Sequence, residues 1–107
     1  LRIYSDDAGR SHWEGLTPEA LNMFGDQVAG AARMEIVEAP RPRSRAALER
    51  RELVIVLCGI HEYGTAGETR RLFPGDVVVL DDTPEHDHTF EAIGKERAIC
   101  LRFPLGS

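Results

Sequence analysis

Two histidines two residues apart, His86 and His88, are the first side chains in this sequence whose spacing suggests chemistry. In an extended stretch they share one face with Phe90, while Asp87, Thr89 and Glu91 share the other. The face with the aromatic ring should turn inward and carry both imidazoles with it. Imidazole titrates near neutral pH, so either ring can move a proton. The plainer reading is one hydrogen-bonded core histidine and one rim histidine. Glu52 heads an apolar run. Facing a dry interior, its carboxyl would be pushed up in pKa and serve as a general acid. It can equally pair with Arg50 or Arg102. Tyr63 offers a phenolic hydroxyl, either near a cavity mouth or on a hairpin surface. Arg51, Arg70, Arg71 and Arg102 can clamp a carboxylate or enolate, or form solvated faces. Phe90, Tyr63, Arg51 and Arg102 are the ligand-contact candidates. His61 follows a glycine turn and is expected to be exposed. His12, beside Trp13, is expected to fix an N-terminal turn.

The elements that must position these groups are strands. Leu53–Leu57 and Val77–Leu80 are apolar and rich in β-branched residues, bounded by Gly, Pro and Asp. Neither alternates strictly with polar residues, so both faces should be covered. Between them Phe73-Pro74-Gly75-Asp76 reads as a tight turn: Pro74 presets φ, Gly75 can take positive φ, and Asp76 can bond nearby backbone. Glu96–Phe103 reads as a last strand, with Ala98, Cys100 and Arg102 on one side and Arg97, Ile99, Leu101 and Phe103 on the other. Met34–Val37 is a further strand, and Leu1–Tyr4 reads as an edge strand. Thr17-Pro18 resembles a helix start, N-cap then N1, but only one turn of helical spacing follows before Gly25, which favours an irregular arm over a short helix. Arg41–Arg45 reads as a basic loop, either solvent-facing or a rim for an acidic ligand, because Pro42 argues against a central strand. Ala46–Arg51 is either one helical turn or a lead into the next strand. Many short strands with frequent turns indicate an all-β sandwich or barrel.

A chain of 107 residues is expected to be one domain. Its formal net charge of -5 argues against a nucleic-acid partner. No apolar run approaches spanning length, and the start shows no basic-then-apolar signal pattern, so no membrane partner is expected. Cys58 and Cys100 lie in apolar strand-like runs and read as reduced core residues, which points to the cytoplasm; a single disulfide is the alternative. Exposed edges and continuous apolar strands suggest a homodimer.

Taken in order, these pieces resemble the cupin family. Glu52 to Gly59 gives a Glu, six residues and a Gly, as in the second half of the first cupin motif. Phe73-Pro74-Gly75-Asp76-Val77-Val78, followed by Pro84 and His88, is similar to the second. A subgroup of small single-domain cupins is also similar at Asp7 through Trp13, at Arg50-Arg51-Glu52, and at Asp82-Thr83 before His88. The resemblance covers roughly residues 5–13 and 50–103. It implies an all-β, cupin-type antiparallel β-barrel or jelly roll with little helix, a single domain over 1–107. Residues 1–45 would be an N-terminal arm with edge strands, and 46–103 the core strands. It also implies a cavity lined by Glu52 and His88.

One departure matters. Metal-binding cupins carry a His-x-His pair just before the motif Glu. Here that spacing selects Ala46 and Leu48, or Arg45 and Ala47, none an ordinary metal ligand. No cofactor is therefore expected. Were a divalent metal bound, His86, His88 and Glu52 would be its ligands, with His61 as a fourth. The expected function is a small cupin enzyme acting on a small organic intermediate. Its chemistry would be metal-independent acid–base work by His88, Glu52 and His86, of isomerase, cyclase or lyase type. The alternatives are a metal-dependent oxygenase or isomerase with a rebuilt ligand set, and a non-catalytic small-molecule-binding cupin.

Overall fold

The computed structural model describes residues 1–8, 10–45, 50–65, 67–81 and 88–106. Its elements in chain order are β1 (Arg2–Ser5), β2 (Ser11–Glu14), α1 (Pro18–Asp26), β3 (Arg33–Val37), β4 (Arg41–Arg45), β5 (Glu52–Cys58), β6 (Ile60–Thr65), β7 (Glu68–Leu72), β8 (Val77–Asp81), β9 (Thr89–Ile93) and β10 (Ala98–Pro104). The two apolar runs become β5 and β8, which pair antiparallel with Val54 opposite Val78. Phe73-Pro74-Gly75-Asp76 closes as a tight turn before β8. Gly75 takes φ 95°, Asp76 N donates to Phe73 O at 2.9 Å, and the Asp76 carboxylate accepts from Phe73 N at 2.7 Å.

Two sheets result. One has six strands in the order β2-β1-β8-β5-β10-β3, the other four in the order β4-β9-β6-β7. All pairings are antiparallel except β1 with β8. The chain is all-β with one short helix among the described residues. Gly59 is where it passes from the larger sheet to the smaller. Its φ is 76°, and a Cβ there would sit 2.5 Å from Arg97 O, so a larger residue would force the crossing apart.

Alternation in the strands sorts the side chains. Val54 and Val56 of β5, Val78 and Leu80 of β8, Cys100 of β10 and Ile3 of β1 turn inward. There they meet Tyr63 of β6 and Leu72 of β7. On the other side of the six-stranded sheet, Leu53 and Val79 pack with Leu105 beneath Leu16, Leu21 and Phe24. That second layer is why β5 and β8 lack strict alternation: both faces are covered. Of the two readings of this stretch the helix, α1, forms, with the Thr17 hydroxyl accepting from Ala20 N at 3.1 Å and Pro18 opening the first turn. Trp13 packs its ring against the inner core, and His12 Nε2 bonds Asp6 Oδ2 at 2.6 Å, fixing the turn between β1 and β2.

Three expectations are corrected. Residues 2–5 are not an edge strand: β1 lies between β2 and β8. Arg41–Arg45 is not a loop but β4, an edge of the smaller sheet, where Pro42 costs no ladder bond. Its register shifts between Arg41 and Ser44. Cys58 and Cys100 are both free, but only Cys100 is buried; Cys58 is half-exposed, its thiol donating to Glu96 Oε2 at 3.7 Å. Ala46 to Glu49 lie outside the described residues. Among the described residues no helix is long and apolar enough to cross a membrane.

Candidate functional site

The polar content of the space between the sheets comes from four strands. Glu52 stands two residues before Val54 on β5, so it shares the inward face. Arg102 faces inward two residues after Cys100 on β10, and pairing places Arg102 beside Val54. β3 brings Glu35 opposite Cys100 and Arg33 opposite Arg102. From the smaller sheet, β6 sends in His61 and Tyr63, each 1% exposed, with Phe90 of β9 opposite Tyr63. His88, just before β9, is fully buried.

The centre is Arg102. Its Nη1 donates to Glu52 Oε1 at 3.0 Å and its Nη2 to Glu35 Oε1 at 3.2 Å. Arg33 adds contacts of 3.8 Å to both carboxylates. Burial works against the Arg102 charge. Tyr63, Glu35, Cys100 and Glu52 more than offset that, and the net effect is a raised pKa. Burial pushes the Tyr63 phenol well above its ordinary value, with Arg102 pulling the other way. Burial likewise raises the Cys100 thiol against the same arginine. Tyr63 and Arg102 are thus close enough to shift each other's ionisation, without a hydrogen bond of acceptable geometry between them. Tyr63 Oη and Arg102 Nε both lack a hydrogen-bond partner among the described residues.

His61 adds a third open atom. Its Nε2 lies 3.1 Å from Cys58 O, and a carbonyl only accepts, so Nε2 carries the proton. Nδ1 is then a bare acceptor, and it too is buried without a partner among the described residues. Burial holds this imidazole below its ordinary pKa, partly opposed by the Cys58 carbonyl, and Arg102 lowers it further. The ring is therefore neutral at pH 7. Phe90 ties the aromatic groups together, its centroid 5.7 Å from His61 and 5.3 Å from Tyr63; Tyr63 is 6.0 Å from His88. A cation, a protonated phenol and a neutral imidazole with a free lone pair can together hold an oxygen and accept a proton.

The structure brings together Glu52, Tyr63, Phe90, His88 and Arg102 of the residues expected from sequence. His86 lies outside the described residues. Glu52 is found in the plainer of its two readings, as the ion-pair partner of Arg102. Arg51 is corrected from ligand contact to scaffold. It lies on the opposite side of the sheet, with Nη1 on Gly106 O at 2.8 Å, Nη2 on Gln27 Oε1 at 3.1 Å and Nε on Asp81. Arg70 and Arg71 are exposed and pair with Glu68 and Glu62. Tyr63 is a core residue rather than a hairpin surface residue, and His61 is buried rather than exposed. Both follow from one cause: after Gly59 the chain enters the smaller sheet, whose inward positions are Cys58 plus three and plus five. Sequence reasoning did not single out Glu35 and Arg33. The signal was available, since the Met34–Val37 strand must turn every second residue inward.

Of the three side chains expected to hold a metal, were one bound, His86 lies outside the described residues. The Glu52 carboxylate already accepts from Arg102 Nη1 at 3.0 Å. Among the described residues no three His, Cys, Asp or Glu side chains come together as a ligand group.

No protein-family model matches the sequence, and no curated protein matches it. Among solved structures the chain is similar to KdgF from Halomonas sp., at 18% sequence identity and a TM-score of 0.42, over 97% of this chain and 95% of that one.

Proposed function

We propose that this chain is a small enzyme that moves a proton on a small organic molecule bound between its two sheets, without a metal, as an isomerase, cyclase or lyase does. One observation carries the reading. Tyr63 Oη and His61 Nδ1 from the smaller sheet, and Arg102 Nε from the larger, are buried with their hydrogen-bonding capacity open among the described residues. Each such atom costs about 1–3 kcal/mol. A sequence that keeps three of them in one interior loses stability there, and a ligand that completes them restores it. His61 and His88 supply the acid–base capacity, and Glu52 positions Arg102.

The test is carbon-bound hydrogen exchange in D2O, followed by NMR on protein dialysed against EDTA, with a panel of small aldehydes, ketones and hydroxy acids. At least one compound should exchange faster than in buffer. His61→Gln and His88→Gln should each lower that rate by roughly a hundredfold, the low end of general acid–base contributions. Exchange that vanishes on chelation and returns with added metal would replace this reading by the metal-dependent one. Binding without exchange would leave a ligand-binding module.

The proposal extends to a homodimer through β3. The edges β4 and β7 are charged and Pro-bearing or short, as protected edges are. β3 is an edge too, yet its outward Met34 and Ile36 are 58% and 54% exposed. Sedimentation at micromolar concentration should show a dimer, and Ile36→Glu a monomer; a monomeric wild type would rule the dimer out.

A further inference from the structure

Resting on the proposed acid–base site, we infer that its substrate is a neutral carbonyl compound with an adjacent C–H, whose oxygen is held jointly by Arg102 Nε–H and the Tyr63 hydroxyl. The argument begins with charge. A guanidinium normally recognises a carboxylate through two parallel N–H groups. Each Nη of Arg102 already has one N–H on a carboxylate, Nη1 on Glu52 and Nη2 on Glu35, so a fork here would crowd a third carboxylate against those two. With Arg33 at 3.8 Å from both carboxylates, two cations face two anions and the cluster is balanced. A third carboxylate would enter beside Glu52 and Glu35 with no uncompensated cation to meet it.

What remains open is narrower. One N–H and one phenolic O–H suit a single oxygen with two lone pairs, which is a carbonyl. These donors stand where charge would develop if that carbonyl were enolised, the arrangement that stabilises an oxyanion. The phenol is held in its protonated, donating form by its burial. His61 completes the balance of the step. Its Nε2–H is tied to Cys58 O, so Nδ1 is the atom free to accept. The α-proton passes to His61 Nδ1, the C–H pair becomes the C=C of the enolate, and the carbonyl pair moves onto the oxygen held by Tyr63 and Arg102. Return of the proton to the oxygen gives the enol; in an α-hydroxy ketone, return to the former carbonyl carbon, with the hydroxyl proton passing to the enolate oxygen, completes an isomerisation. No oxidant, reductant or second substrate is consumed. Phe90, against both His61 and Tyr63, supplies the apolar wall.

A matched pair of probes separates the ligand classes: 3-hydroxybutan-2-one, a neutral α-hydroxy ketone, and lactate, which carries a carboxylate in place of its acetyl group. Binding is read by titration calorimetry and exchange of the ketone's methine proton by NMR in D2O. The ketone should bind at least tenfold more tightly than lactate and exchange its methine. Tyr63→Phe and Arg102→Lys should each lower binding or exchange tenfold or more. Tyr63→Phe deletes only an oxygen without a hydrogen-bond partner among the described residues, so its melting temperature should not fall, and it remains informative if Arg102→Lys folds poorly. Tighter binding of lactate, lost in Arg102→Lys, would overturn the neutral-substrate inference and leave the acid–base site standing. Ketone exchange untouched by Tyr63→Phe and Arg102→Lys would overturn the oxygen anchor. If neither probe binds the folded wild-type protein, both the inference and the reading beneath it fall.

Discussion

Arg51 and Arg102 lie on opposite sides of one six-stranded sheet and use their charge in opposite ways. Arg51 spends every nitrogen on protein: Nε on Asp81, Nη1 on the Gly106 carbonyl and Nη2 on the Gln27 side chain. Asp81 is shared with Arg2, whose Nη2 lies 2.7 Å from Oδ2, and both guanidinium groups lie about 6 Å from the Phe24 ring centre. The cluster ties α1, the C-terminal tail, β1 and β8 into one layer. Arg102 also holds two carboxylates, but its Nε has no partner among the described residues, and neither has the Tyr63 hydroxyl beside it. Two clusters with similar residues thus differ in closure. One is satisfied and serves the fold, while the other keeps buried atoms without a hydrogen-bond partner among the described residues.

Breaking the closed cluster should have the largest effect. Removing one partner from a buried ion pair costs about 3–5 kcal/mol. Asp81 is 10% exposed at its side chain, but Arg2 and Arg51 are 26% and 27% exposed, so screening reduces the cost. Asp81→Ala should therefore lose about 2–3 kcal/mol in urea unfolding. It should leave ketone affinity in the folded protein unchanged. An undiminished unfolding midpoint would mean that the outer cluster does not hold the layer together.

The second test turns the open cluster against itself. Glu52→Gln keeps a hydrogen-bond acceptor for Arg102 and removes one of the two balancing charges. Stability should fall by about 1–2 kcal/mol, the worth of a charge-assisted hydrogen bond. Specificity should move further. With a cation no longer compensated, lactate should gain about tenfold in affinity, or about 1.4 kcal/mol, relative to the neutral ketone. If the variant keeps the wild-type preference, charge balance at Arg102 does not set the substrate class.

These two clusters also mark what the sequence could and could not reveal. The β5, β8 and β10 strands, the turn at Pro74-Gly75 and the Thr17 cap are local chemistry, and each was legible. The faces of β10 were legible from alternation alone, so Arg102 and Cys100 were rightly placed together. Arg51 was misjudged because a strand's parity is fixed only when one residue's face is known. Glu52 turns inward on Arg102, so Arg51 before it points outward. His61 and Tyr63 were misjudged because the polar run Ile60–Thr65 carries no apolar alternation to show which side is buried. Its inward face carries an imidazole and a phenol, His61 and Tyr63, rather than aliphatic side chains.

A smaller effect is expected from Tyr63→Phe on stability. Truncating a satisfied tyrosine costs the hydrogen bond. This hydroxyl has no partner among the described residues, so its removal relieves a desolvation penalty. The variant should be unchanged or up to about 1 kcal/mol more stable by urea unfolding, while ketone binding falls. A clear loss of stability would show the hydroxyl to be a structural partner, and the open cluster would then be closed like the outer one.

The smallest effect is a slope with pH, and it separates the clusters by sign. His61 is held below its ordinary pKa of 6.5, first by burial and then by Arg102, against the Cys58 carbonyl and Glu35. In the window from that ordinary value down to the lowered one, the unfolded chain binds a proton at this position and the folded chain does not. Stability contributed by the neutral, buried ring is therefore complete above 6.5 and is lost as pH falls through the window. His61→Gln keeps an N–H for the Cys58 carbonyl but cannot titrate. The difference in unfolding free energy between wild type and variant should be flat above about pH 7.5 and should turn against the wild type as pH falls below about 6.5. Asp81→Ala, which touches no group titrating in that window, should run parallel to the wild type over the same range. A flat difference for His61→Gln would mean that the imidazole is equally hydrated in both states. Its Nδ1 would then be bonded to water rather than available to a substrate proton, and the base in the proposed step would have to be His88.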